Sequence, residues 1–208
     1  MTIGLLTASN PALLAEEHRL KLLFLMEGDN AFSINPHKRV NVDVLILLDT
    51  GGINCTTSGF YPTFKTPPAV PGQDQWYEAF RVYSLQWYIQ KKIPMVGIGT
   101  SALLLWDSVL GGKICYEEGE LLPVKDDKKA LFENGSGRNF LSSHVSGLIE
   151  MPDDVDFYRI VHKLYRQRIR DNEALVEELA NRPIAPLTRG EHNKVVEEKP
   201  NFSEVPEL

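Results

Sequence analysis

The sequence predicts an α/β fold with a mainly parallel central sheet. Three observations carry that prediction. Residues 42–48 read Val-Asp-Val-Leu-Ile-Leu-Leu, the nearly continuous apolar run of a strand covered on both faces. Residues 94–98, Pro-Met-Val-Gly-Ile, form a second such run, followed at once by a glycine turn and an apolar helix. Along the chain the patterns follow the order strand–helix–strand–strand–helix–strand–helix, which puts helices on the faces of a parallel sheet.

Each element has a local reason. Thr2–Ala8 is a short apolar run closed by Ser9-Asn10-Pro11, so it reads as a strand and a turn, with Ser9 or Asn10 as cap and Pro11 in the first helical turn. Leu13, Leu14, Leu20, Leu22, Leu23 and Leu25 continue at mixed three- and four-residue spacing, a helix to about Met26 that Gly28-Asp29-Asn30 terminates. Ala31–Ile34 reads as a second short strand. The run Val42–Leu48 feeds into Asp49-Thr50-Gly51-Gly52, a turn suited to glycine. Residues 54–75, with Pro62, Pro67, Pro68 and Pro71, read as a long loop. Gln75–Lys91 returns to helical spacing, with Trp76, Phe80, Tyr83, Leu85 and Trp87 as apolar candidates. Pro94–Ile98 is the next strand, Ser101–Leu110 the next helix, and Gly111-Gly112 its end. Residues 113–150 read as short strands and turns. Residues 157–181 are charged and free of glycine and proline, hence helical. Residues 182–208 hold Pro183, Pro186, Pro200 and Pro206 with little apolar content, and read as an extended tail unable to fold alone. The expected organisation is an α/β domain over 1–155, a charged helix over 156–181 and the tail over 182–208.

Composition narrows the function classes. A 208-residue chain with 43% hydrophobic and 24% charged residues matches an ordinary globular domain. A net charge of −6 gives no global reason to expect nucleic-acid binding. The apolar runs are too short to span a bilayer, and the first residues lack a basic signal-peptide region. Cys55 and Cys115 are too few for a disulfide scaffold. A cytoplasmic protein with free thiols is therefore expected. The five histidines are never paired at ligand spacing, so neither metal nor cofactor is expected.

Three segments together resemble the class I, triad-type glutamine amidotransferases and the related γ-glutamyl hydrolases. That family has a strand ending in a Pro-Gly-Gly turn; here Leu47-Leu48-Asp49-Thr50-Gly51-Gly52 stands in its place. It has Pro-x-x-Gly-Ile-Cys-x-Gly before an apolar helix; here Pro94-Met95-Val96-Gly97-Ile98-Gly99-Thr100-Ser101 precedes Ala102–Leu110. Many members carry Ser-x-His-x-Gln leading to a Leu-Pro-x-x-hydrophobic strand; here Ser142-Ser143-His144-Val145-Ser146 leads to Met151-Pro152-Asp153-Asp154-Val155. The resemblance covers about three-quarters of the chain. It implies a flavodoxin-like three-layer sandwich with a pocket at Gly51, Gly52, Gly99, Thr100, Ser101 and His144.

The departures are chemical. Gly99 stands where the family's nucleophilic cysteine would be. The closing His-x-Glu has no counterpart: His162 is followed by Lys163-Leu164, and His192 by Asn193-Lys194. Acyl transfer from glutamine needs a nucleophile, a base and oxyanion donors. No catalytic residue is assigned, and the implied protein is a degenerate member acting as a binding or assembly component. Two alternatives stay open. One is an active hydrolase of γ-glutamyl amides with relocated residues, using Thr100 or Ser101 as nucleophile and His144 as base; the plainer role of the two hydroxyls is helix capping. The other is nucleotide binding, because Gly97-Ile98-Gly99-Thr100-Ser101-Ala102 matches G-x-G-x-x-A, with Glu117 or Glu118 about twenty residues on. Neither Cys55 nor Cys115 has a neighbouring base in sequence.

Arg159, Lys163, Arg166 and Arg170 recur at spacings of four, three and four, so they share one helical face. That face reads as a solvated surface or as a docking site for an acidic partner. Glu191–Leu208 holds five acidic and two basic residues and is a candidate acidic surface in a sister subunit. The expected partners are a second copy or a larger protein assembly, met through residues 156–208. A small carboxylate or amide is the candidate ligand. Nucleic acid is not expected, since the face lacks interleaved aromatics, and no membrane is.

Overall fold

The structure is a computed structural model that describes residues 1–6, 13–49, 79–117, 120–125, 128–132 and 138–181. The chain divides into two units, Met1–Asp171 and Asn172–Leu208. In the first unit, five parallel strands form the heart of a seven-stranded sheet. They are β1 (Thr2–Leu6), β2 (Asn30–Ile34), β3 (Val44–Leu47), β4 (Met95–Ile98) and β9 (Val145–Leu148). Two-residue strands β7 (Leu131–Phe132) and β8 (Phe140–Leu141) continue the sheet antiparallel, giving the order β2-β1-β3-β4-β9-β8-β7. A separate hairpin pairs β5 (Ile114–Glu117) with β6 (Glu120–Pro123). The sheet grows outward in opposite directions from β1 and β3, the switch-point arrangement of doubly wound sheets.

The helices are α1 (Leu14–Met26), α2 (Gln86–Gln90, entered through a π-helical turn at Arg81–Leu85), α3 (Thr100–Ser108) and α4 (Asp154–Asn181). Strand alternation sends side chains to two cores. Leu45 and Leu47 of β3 join Leu85 and Tyr88 of the α2 region and Leu103–Trp106 of α3. Val44 and Ile46 join Leu20 and Phe24 of α1 and Phe157, Val161 and Leu164 of α4. The sheet is thus covered on both faces, as the apolar runs predict.

Boundaries follow local chemistry. Gly28 takes φ +80° after α1, with its amide bonding Leu25 O and that of Asp29 bonding Phe24 O, a Schellman ending. The proposed caps Ser9 and Asn10 lie outside the described residues, as do the long loop and residues 182–208. One expectation needs correction. The resemblance places a strand at Met151–Val155, but α4 already begins at Asp154. Asp153 starts it, because its carboxylate accepts from the Asp156 amide at 2.8 Å and its carbonyl from Phe157 at 2.9 Å. The strand is instead Val145–Leu148, wholly buried beside β4.

Candidate functional site

At the carboxyl edge of the sheet, β4 turns into α3 through Gly99, with φ +58° and ψ −124°. The left-handed φ favours glycine. The surroundings demand it too: a Cβ at residue 99 would lie 2.2 Å from Asp49 Oδ2 and 2.3 Å from its Cγ. Asp49, two residues beyond β3, thus projects its carboxylate into the space where a side chain at residue 99 would begin. Its Oδ1 accepts from the Thr100 hydroxyl at 2.7 Å and from the Thr100 amide at 3.3 Å. That carboxylate sits at the positive end of α3, as an anion would. Ser101, fully buried, donates its hydroxyl to Leu48 O at 2.6 Å.

Gly97 has a packing reason of its own. A Cβ there would lie 2.5 Å from Ser101 O, so glycine is what lets the first turn of α3 lie against β4. The G-x-G-x-x-A pattern is accounted for by this close approach and by the Gly99 turn. Gly51, Gly52, Cys55 and Glu118 lie outside the described residues, and Glu117 closes β5. Cys115 Sγ lies 3.5 Å from Leu122 O across the hairpin.

The structure brings Gly99, Thr100 and Ser101 together with Asp49, a residue the sequence reading gave only a place in a turn. It does not bring His144 to them, which corrects the pocket drawn from the resemblance. The His144 carbonyl accepts from the Met95 amide at 2.9 Å, at the start of β4. Gly99 follows the other end of that strand, about 13 Å away at 3.3 Å per residue. His144 Nδ1 is buried without a hydrogen-bond partner among the described residues, 3.8 Å from Asp171 Oδ2.

A second cluster sits on α4. Arg159, Lys163, Arg166 and Arg170 all line one cavity of about 730 Å³ together with Tyr158, His162 and Ile169. They lie across the helix from the buried Phe157, Val161 and Leu164. Behind the cavity, Asp29 is a buried carboxylate. Its Oδ2 accepts from Tyr158 OH at 3.0 Å and lies 3.2 Å from His162 Nε2, and its Oδ1 lies 2.6 Å from the Met1 amino group. Burial pushes the Asp29 carboxyl up, but the hydrogen bonds from Met1, His162 and Tyr158 outweigh it and hold Asp29 below the usual carboxylate value. Tyr158 is pushed up to about 12, by burial first and then by the carboxylate beside it. The rings of Tyr158 and His162 lie 4.4 Å apart. Sequence reasoning missed this group because Asp29 and His162 are 133 residues apart. The one available signal is a lone acid in the turn after Gly28. Arg168 was missed likewise; it donates to Val42 O at 2.8 Å and Asp43 O at 3.0 Å, fastening α4 to the strand that carries Asp49.

Among the described residues, no group of three or more His, Cys, Asp and Glu is placed to hold a metal ion, and no helix is long and apolar enough to cross a membrane. No family model matches the chain, and no curated protein matches it.

Proposed function

We propose that this chain is a catalytically degenerate protein of the glutamine amidotransferase type, acting as a binding or assembly component. The observation that carries the reading is the Asp49 carboxylate standing 2.2 Å from where a Cβ on residue 99 would be. A nucleophile at the turn has no room, and a fixed negative charge there opposes an oxyanion. The Thr100 amide, a candidate oxyanion donor, is directed at Asp49. The histidine of the resemblance faces the other edge of the sheet. Among the described residues, residue 99, the Thr100 amide and His144 thus do not form the arrangement that acyl transfer requires. Docking falls to residues 156–208, whose cationic face Arg159, Lys163, Arg166 and Arg170 suits an anionic partner, with a second copy or a larger assembly as the expected context.

One distance favours a second reading. The Thr100 hydroxyl lies 2.7 Å from Asp49, within the reach of a nucleophile–base pair. In that reading Asp49 takes the Thr100 proton and the chain hydrolyses an amide. The first reading is preferred because the same carboxylate oxygen also accepts from the backbone amide, as a helix cap does. One assay separates them. Purified protein is incubated with glutamine and with a γ-glutamyl amide, and ammonia is measured. Release at the buffer rate supports the closed centre. Release well above it that Thr100→Val and Asp49→Asn both abolish overturns it in favour of the second reading.

A further inference from the structure

We propose that the cavity along α4 binds an oligophosphate, carried by a nucleotide or free as an inorganic chain. This rests on the reading of α4 as a binding face and names the chemistry of what it binds. The cavity, about 730 Å³, is a groove open to solvent along the outward face of α4. Its described lining contains four cations and no carboxylate. Lys163, Arg166 and Arg170 have no ion-pair partner among the described residues, Arg170 meeting the neutral Gln167 at 2.9 Å, whereas Arg159 meets Asp156 at 2.9 Å. The chain as a whole is acidic, with net charge −6, so this concentration of positive charge is local.

Like charges three and four residues apart on a helix repel one another. A bound polyanion removes that repulsion and is drawn by the local positive field. From Arg159 to Arg170 the cations extend over about 16 Å at 1.5 Å per residue. That length exceeds one phosphate and suits a chain of anionic groups, each meeting its own cation. Three of the four are arginines, whose planar fork bonds phosphate oxygens in pairs. The Tyr158 and His162 rings, held from behind by Asp29, form one wall. The two ring planes are tilted 44° to one another, so a nucleobase would stack on one ring face rather than on both. The groove is open to solvent and its described lining comes from a single helix, so the short run of cations, about 16 Å, sets the length of the anion it suits.

The test uses the full chain in titration calorimetry at low salt, with sodium tripolyphosphate and with ATP as probes and no added metal. Binding of ATP or tripolyphosphate is expected, weakening as salt is raised. Arg166→Gln with Arg170→Gln, both exposed positions, is expected to weaken it at least about tenfold. Lys91→Gln, at the end of α2 on the opposite face of the sheet, is expected to leave it unchanged. Equal binding of both probes assigns the site to the phosphate chain itself, tighter ATP binding to a nucleotide, and tighter tripolyphosphate binding to a free oligophosphate. The proposal is overturned if neither probe binds, if the double variant binds like the parent, or if Lys91→Gln weakens binding as much. Binding of a single-stranded RNA or an acidic peptide with neither small probe bound overturns it as well. Ammonia release from glutamine would sink the closed-centre reading and leave this result untouched.

Discussion

At Gly99 two constraints act on one residue and can be separated. The backbone has φ +58°, which costs an L residue about 1–3 kcal/mol. The missing Cβ also leaves room for the Asp49 carboxylate. Gly99→Ala is therefore expected to destabilise by more than the backbone term alone, because a methyl group must displace a carboxylate that caps α3. Asp49→Ala removes the obstacle along with the cap. In the double variant the collision is gone and the backbone strain remains, so the two losses are expected to be less than additive. Urea denaturation of the four proteins in the cycle measures this. Strict additivity would show that Asp49 does not occupy the space of a residue-99 side chain.

At the level of elements, the buried strands and their helices were legible because burial on two faces writes itself as uninterrupted apolar runs. Val42–Leu48 and Pro94–Ile98 carry that mark, and both appear as central strands, trimmed by one or two residues at their ends. Val145–Leu148 escaped because Ser146 and Gly147 interrupt it; Ser146 is nevertheless buried, its hydroxyl 3.3 Å from Phe140 O. The start of α4 escaped because Pro152-Asp153-Asp154 reads equally as a turn, and the side-chain bond that makes Asp153 a cap appears only in three dimensions. Removing that bond by Asp153→Ala is expected to cost about 1 kcal/mol, with the loss confined to the first turn of α4. Hydrogen exchange of the Asp156 and Phe157 amides reads it directly. Unchanged protection at both would show that the helix start is set by tertiary packing alone. The candidate site was legible only in part for a related reason. Gly99, Thr100 and Ser101 are neighbours in sequence, but the group that defines their chemistry, Asp49, comes from another strand.

Across the whole molecule, Asp29 joins the end of α1 to α4 through Tyr158 and His162, and reaches the start of β1 at Met1. This makes it a point where proton binding couples to folding. Its carboxyl is held below the usual value in the folded protein. In that pH window the unfolded chain binds more protons than the folded one, so stability rises with pH. The contribution is fully present above the ordinary aspartate value of about 3.9 and is lost as pH falls through the lower folded value. Tyr158 has the opposite displacement, to about 12. Its contribution is present below the ordinary tyrosine value of about 10 and fades as pH rises past it. Part of that displacement comes from burial and persists without the carboxylate; the rest comes from Asp29. Asp29→Asn is therefore expected to flatten the acid limb of the stability curve and to shallow the alkaline limb only partly. Urea midpoints for both proteins from about pH 3 to about pH 11 measure the two limbs together. The difference between the curves cancels the exposed carboxylates common to both. Curves that run parallel at the acid end would show that Asp29 is not the group through which the Met1–Tyr158–His162 network senses pH.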